Sequence, residues 1–239
     1  MKRKRTSVAK TDQSLRVVLI TLDNHVSGAW SRAAVALSKQ VPALSVSAHA
    51  ATEWDRDPTV LEDTLAAIAE GDIVIVTMLF LESHIEAVRR ALADRREACD
   101  AMICCMSAPE IMRLTRMGRF RMETEATGAL ALLKRLRGGG DKTGRPAGAQ
   151  QMTMLRRLPR LLRFIPGTAQ DVRAYFLTLQ YWLAGSETNL RRMMAFLINR
   201  YASDAYADAR DALTFEPPLE YPDTGLYHQR LPDRITDDP

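Results

Sequence analysis

The sequence predicts a doubly wound α/β domain with a mostly parallel, flavodoxin- or Rossmann-like sheet, followed by a helical region. Three observations carry this. The runs at 16–22, 72–78 and 101–106 are almost continuously apolar, as strands are when helices cover both faces of a parallel sheet. A weaker run spans 44–48. Amphipathic stretches separate these runs, giving an alternating β-α order that defines the α/β class.

The first strand, Arg16 to Leu22, leads into a helix over Ser27 to Gln40 with Trp30, Ala34 and Leu37 at helical spacing. The second helix, Val60 to Ala69, lines up Leu61, Leu65 and Ile68. Asp57 caps it, Pro58 occupies its first turn and Gly71 closes it. The third, Glu82 to Glu97, groups Ile85, Val88 and Leu92. Together these elements make an α/β domain at 14–115, and a helical region at 116–202 follows it. In that region Ile111 to Leu136 reads as helix broken near Gly118 and Gly128, and five glycines and a proline mark 138–150 as a flexible loop. Two helices follow, Ala169 to Leu183 and Glu187 to Tyr201, with Gly185 as stop and Ser186 as cap. Residues 1–13 read as a disordered basic lead-in, and 203–239 as a proline-rich acidic tail without a closing element.

The chain has 239 residues, of which 46% are hydrophobic and 26% charged, an ordinary globular balance. It contains no run of eighteen apolar residues, so no transmembrane helix is expected. The basic start is not followed by a signal-type apolar segment. Cys99, Cys104 and Cys105 are odd in number and lack C-x-x-C spacing, which argues against a disulfide framework or a zinc site and for a reducing cytoplasm. Charge is uneven. Lys134 to Arg173 holds ten Lys/Arg against two Asp, a local +8, whereas Ser203 to Pro239 holds three Arg against nine acids, a local −6.

Asp23, Asn24 and His25 follow the first strand, at the edge where open α/β sheets bind ligands. They are candidates for a small-ligand or anion site, against the plainer reading of a polar turn and helix cap. Only Gly28 of a dinucleotide fingerprint is present. Gly139 and Gly144 imitate a phosphate loop, but Arg145-Pro146 follows and no strand precedes. His84-Ile85-Glu86 lacks the downstream cysteines of a zinc deaminase. His25, His49, His84 and His228 have no metal-ligand spacing and read as surface or loop histidines. No catalytic or metal residue emerges. Between Met152 and Ile165, Arg156, Arg157, Arg160 and Arg163 alternate with leucines. This stretch could meet an anionic membrane surface or a protein partner, or pack its apolar face with its arginines solvated. It lacks a surrounding nucleic-acid fold, and Pro159 is expected to interrupt any helix there.

Ser107 to Met122, Tyr175 to Leu190 and Phe196 to Tyr201 resemble the N-terminal region of the magnesium chelatase large (H, porphyrin-binding) subunit family. Val17 to His25, Asp72 to Glu82 and Tyr221 to His228 agree with it. The resemblance implies a part in inserting Mg2+ into protoporphyrin IX for (bacterio)chlorophyll synthesis. It also implies two smaller partner subunits of AAA+ type that use ATP, and a downstream cobaltochelatase-like region holding the insertion site. The chain is expected to end where that region would begin, as a fragment or remnant that serves assembly or porphyrin access and is inactive alone. The alternatives are a non-catalytic α/β interaction module, part of a cobaltochelatase-type subunit, and a small-molecule enzyme using the Asp23 turn.

Overall fold

The computed structural model describes residues 14–122, 158–220, 226–230 and 235–236. The lead-in 1–13, the loop 138–150 and the arginines Arg156 and Arg157 lie outside them. Six strands form one sheet: β1 (Leu15–Thr21), β2 (Leu44–Ala50), β3 (Ile73–Thr77), β4 (Ala101–Cys105), β5 (Arg116–Met117) and β6 (Phe120–Arg121). Their order is β2-β1-β3-β4-β5-β6, parallel from β2 to β4 and antiparallel thereafter. The fold is the expected doubly wound α/β arrangement.

Side-chain alternation gives the sheet two apolar faces. Val18, Ile20, Val74, Val76, Met102 and Cys104 face one core, roofed by α2 (Pro58–Glu70) and α3 (Glu82–Arg95) through Ile68, Ile85, Val88 and Leu92. Leu15, Val17, Leu19, Ile73, Ile75 and Ile103 face the other. There α1 (Ser27–Ser38) supplies Trp30, Ala33 and Leu37. The remainder of this roof comes from much later in the chain, from the hairpin of α5 (Thr168–Ala184) and α6 (Glu187–Tyr201). The hairpin therefore shares a core with the sheet. At about 1.5–3 kcal/mol per buried aliphatic side chain, this second layer is a principal source of stability.

The helix ends follow the sequence signals. Asp57 accepts from the Thr59 N–H at 2.9 Å with Pro58 in the first turn. Gly185 takes a left-handed φ of 58°, and Ser186 accepts from the Asn189 N–H at 3.2 Å. Gly71 closes α2 for a different reason. Its φ is −61°, but a Cβ there would lie 2.9 Å from Val74 Cγ2 and 3.0 Å from Val18 Cγ2.

The expected helix after Pro109 is corrected. Of the span Ile111 to Leu136, the described residues up to 122 form only the short α4 (Pro109–Met112), and residues 116–121 extend the sheet as a tight antiparallel hairpin; the rest of that span lies outside the described residues. Gly118 turns it with φ +56°. Before the turn, Thr115 Oγ1 accepts from the Cys104 N–H (3.1 Å) and donates to the Cys104 carbonyl (2.9 Å), acting in place of a neighbouring strand. Buried Asp171 of α5 joins this hairpin to the helices. It accepts from the Arg119 N–H (2.9 Å), Arg200 Nη2 (3.1 Å) and the Tyr201 hydroxyl (3.1 Å).

At the same amino-terminal edge of the sheet, Asp72 accepts from the Arg16 N–H (2.9 Å) and the Tyr206 hydroxyl (3.0 Å), and Asp100 accepts from the Ser203 N–H (2.9 Å). A short helix α7 (Ala207–Ala212) follows. In the tail, β7 (Leu226–Tyr227) pairs antiparallel with β8 (Ile235–Thr236), a small closing element that the sequence did not suggest.

Gly118→Ala should cost about 1–3 kcal/mol, because the left-handed φ and the 2.7 Å approach of Asp171 Oδ2 both oppose a Cβ. Gly185→Ala, with its nearest contact at 3.7 Å, should cost only about 1 kcal/mol. Urea unfolding of the two variants tests this ranking. Burial pushes the Asp100 carboxyl above its usual range, opposed by the Ser203 N–H. A carboxyl with a raised folded-state pKa holds its proton more readily when folded, so its contribution to stability falls as pH rises through the carboxylate range. Asp100→Asn keeps an acceptor for Ser203. It should melt at or above the parent's temperature at about pH 7.5, and the gap should close at about pH 4.

Candidate functional site

The strand order reverses between β1 and β3, and the carboxyl ends of these strands form the switch point where open α/β sheets take ligands. Asp23, Asn24 and His25 lie there, in the turn between β1 and α1. The His25 N–H donates to Asp23 Oδ1 at 3.1 Å and the imidazole Nδ1 meets the same oxygen. The His25 side-chain and backbone bonds hold the Asp23 carboxyl below its ordinary value. Asn24 Nδ2 reaches Glu53 Oε1 at 3.5 Å, and the Asn24 carbonyl accepts from the Ser27 N–H at 3.0 Å. Asn24 and His25 are exposed. The structure thus brings the three together as a self-bonded polar lip. No side chain caps α1, whose N-cap residue is Val26.

Beneath this lip lie groups that the sequence did not single out. The register that pairs Ile20 with Val76 puts Thr21 beside Thr77 on the same face. Both are buried; among the described residues the Thr21 hydroxyl and Trp30 Nε1 on α1 have no hydrogen-bond partner, while the Thr77 hydroxyl meets the Cys105 thiol. Burial pushes the neighbouring Cys105 thiol up to about 12, so it stays protonated. Cys99, Cys104 and Cys105 are all free and buried. Met78 and Met106, which follow β3 and β4, have φ of 62° and 48°, and the Met78 N–H donates to the Met106 carbonyl at 3.0 Å. Left-handed non-glycine residues store strain and gather at functional edges. Phe80 and Leu81 stand 58% and 55% exposed beside them. The alternation of β1 and β3 could have flagged the two threonines, as polar residues ending apolar runs on one face.

The reading of His84 as a surface histidine is corrected. It is 3% exposed, because position 84 shares the inward face of α3 with Val88 and Leu92. Its ring packs edge-on against Trp54 at 5.6 Å, and among the described residues neither ring nitrogen is hydrogen-bonded; Asp55 Oδ2 lies 3.8 Å from Nε2. His49 is half-buried, with Nδ1 3.2 Å from Thr64 Oγ1. Among the described residues, no group of three or more His, Cys, Asp or Glu is placed to hold a metal ion.

The described part of the basic stretch begins at Leu158. Residues 158–162 are helical and include Pro159, so the expectation that Pro159 interrupts any helix here is corrected over these residues. Leu158 and Leu162 enter the core, while Arg160, Leu161, Arg163, Phe164 and Ile165 face solvent, Phe164 at 84% exposure. Arg160 lies 3.7 Å from Glu220, so the basic stretch touches the acidic tail. Among the described residues, no helix is long and apolar enough to cross a membrane.

These features define a two-faced α/β unit with a flavodoxin-like strand order, its second helical layer delivered by a later hairpin. The family described as a domain of unknown function, DUF3479, matches residues 16–176, and the chain belongs to it. The chain is 45% identical over 223 residues to the magnesium-chelatase H subunit of Cereibacter sphaeroides and 43% identical over 225 residues to that of Rhodobacter capsulatus. Each match covers 93% of this chain and 18% of the relative. The chloroplastic ChlH subunit of rice is 28% identical over 186 residues, covering 76% of this chain and 13% of its own length. The chain therefore spans less than a fifth of the length of these relatives, and the resemblance to the N-terminal region of the H subunit family is borne out.

Replacing His84 by Phe should keep the edge-on contact with Trp54 and remove two unsatisfied nitrogens. Stability should rise by up to about 1 kcal/mol, since replacing unpaired buried polar atoms with apolar ones of similar shape is neutral or favourable. A loss on chemical denaturation would show that the imidazole is engaged.

Proposed function

We propose that this chain acts as the N-terminal unit of a magnesium chelatase H subunit, serving assembly or porphyrin access while chelation takes place in a downstream cobaltochelatase-like region. The observation that carries this reading is the 45% identity across 93% of the chain to a protein named as a magnesium-chelatase H subunit. The relatives reported above carry that name, which favours this reading over a cobaltochelatase-type subunit. The substrates of the whole assembly are then Mg2+, ATP and protoporphyrin IX, and its partners are two smaller AAA+-type subunits.

Within that assignment, the solvent-facing arginines Arg160 and Arg163, with Arg156 and Arg157 before them, form the docking surface for an acidic partner face. Phe164 supplies apolar contact beside them. Exposed charge pairs are individually weak and screened by salt, so this contact steers association more than it sets affinity. The lip of Asp23, Asn24 and His25 is a secondary polar contact at the sheet edge. The proposed cellular site is the cytoplasm.

The test is reconstitution. With the smaller subunits, ATP, Mg2+ and protoporphyrin IX, this chain alone should form no magnesium protoporphyrin above a no-protein control. Adding the remainder of an H subunit in trans should raise the rate above that of the remainder alone. No gain in trans, or turnover by this chain alone, would overturn the assignment.

A further inference from the structure

The outer face of the α5–α6 hairpin carries a second feature, remote from the carboxyl edge of the sheet. A cavity of about 420 Å³ opens between the two helices and the extended segment 213–220. Its walls are Leu177, Phe196, Phe215 and Pro217, and its polar groups are Arg173, Arg200, Tyr181 and Asn199. Several contacts hold it open in a defined shape. The Tyr181 hydroxyl donates to the Glu216 carbonyl, and Arg192 Nη1 donates to the Pro217 carbonyl at 3.0 Å. Buried Asn189 pairs with Leu219 as a strand would, donating through Nδ2 to its carbonyl (2.9 Å) and accepting its N–H (2.8 Å). Phe196 and Phe215 meet edge-on at 5.1 Å.

The charges in this cavity do not balance. Arg200 is neutralised by Asp171 at 3.1 Å. Among the described residues, Arg173 donates only Nε, to the Pro159 carbonyl at 3.0 Å, and has no carboxylate partner. Burial, with Arg200 and Arg163 nearby, lowers the Arg173 guanidinium below its usual value. A half-buried cation facing other cations calls for an anion, and a guanidinium with both terminal nitrogens undonated matches a carboxylate through two parallel hydrogen bonds.

We propose that this cavity binds a carboxylate carried on a small apolar or aromatic body, with Arg173 as the fork that receives it and Phe196 and Phe215 as the walls that hold the body. Its volume lies at the low end for small-ligand pockets, enough for a body of one or two rings. The carboxylate can come from a free small acid or from an acidic side chain flanked by an aromatic residue in a partner polypeptide.

The test uses the full chain and three probes: 3-phenylpropionate, its neutral amide, and a capped tetrapeptide containing Phe-Glu. Binding is followed by calorimetry. The acid should bind at least about tenfold more tightly than the amide, the gain expected from a charge-assisted fork. Arg173→Gln should erase that difference, and Arg173→Lys should restore part of it. Tighter binding of the peptide than of the acid assigns the source to a partner chain, and the reverse assigns it to a free acid. Equal binding of acid and amide, no binding of any probe, or an unchanged preference in Arg173→Gln overturns the proposal. The acid–amide comparison on the unaltered chain stands even if the Arg173 variants fail to fold.

Discussion

Strands β1, β3 and β4 are apolar on both faces, and this two-sided hydrophobicity governs the rest of the structure. A strand such as Ile73-Val-Ile-Val-Thr77, buried at all five positions, cannot leave either face to water. Crossover helices α2 and α3 roof one side, and α1 roofs only part of the other. Burial of Ile75, Ile103 and Cys105 thus depends on a layer that the first 122 residues do not supply. The α5–α6 hairpin is that layer. Its caps, its small loop at Gly185 and its methionine-rich inner face all serve the sheet. Unbranched methionines such as Met193 and Met194 adapt to the uneven surface left beside α1.

Polar contacts fix where the layer sits. Asp171 receives donors from the β5–β6 turn and from α6, and Asp72 and Asp100 receive donors from the segment after α6. All three carboxylates are fully or partly buried, and each is satisfied by groups distant in sequence. Hydrophobic burial is not directional, so these bonds select one placement of the hairpin from many of similar contact area.

The fold was legible where one local signal dominates. Apolar runs marked four strands, and Asp57-Pro58 and Gly185-Ser186 marked helix boundaries within a residue or two. The β5–β6 hairpin was hidden because two-residue strands carry no periodicity, and Gly118 looked like a helix break. Asp23 to His25 were legible as a polar turn, yet their mutual bonding was not. His84 was read as a surface or loop histidine because a polar residue on an inward helix face contradicts the usual pattern. Arg173, Arg200 and Phe215 converge only through tertiary packing of three segments, and no spacing in the sequence could have joined them.

The late delivery of the second layer has a consequence for synthesis. A ribosome releases β1 through β4 well before α5 and α6, so the nascent sheet carries one apolar face covered only in part, by α1, while nearly a hundred further residues are made. Domains generally fold as units, and exposed apolar surface in partly made chains invites aggregation. The native contacts between α1 and the hairpin span most of the chain, which places this unit among slow, high-contact-order folders. Truncations ending between β6 and α5 would therefore yield a half-roofed sheet, a natural client for chaperones that recognise apolar surface.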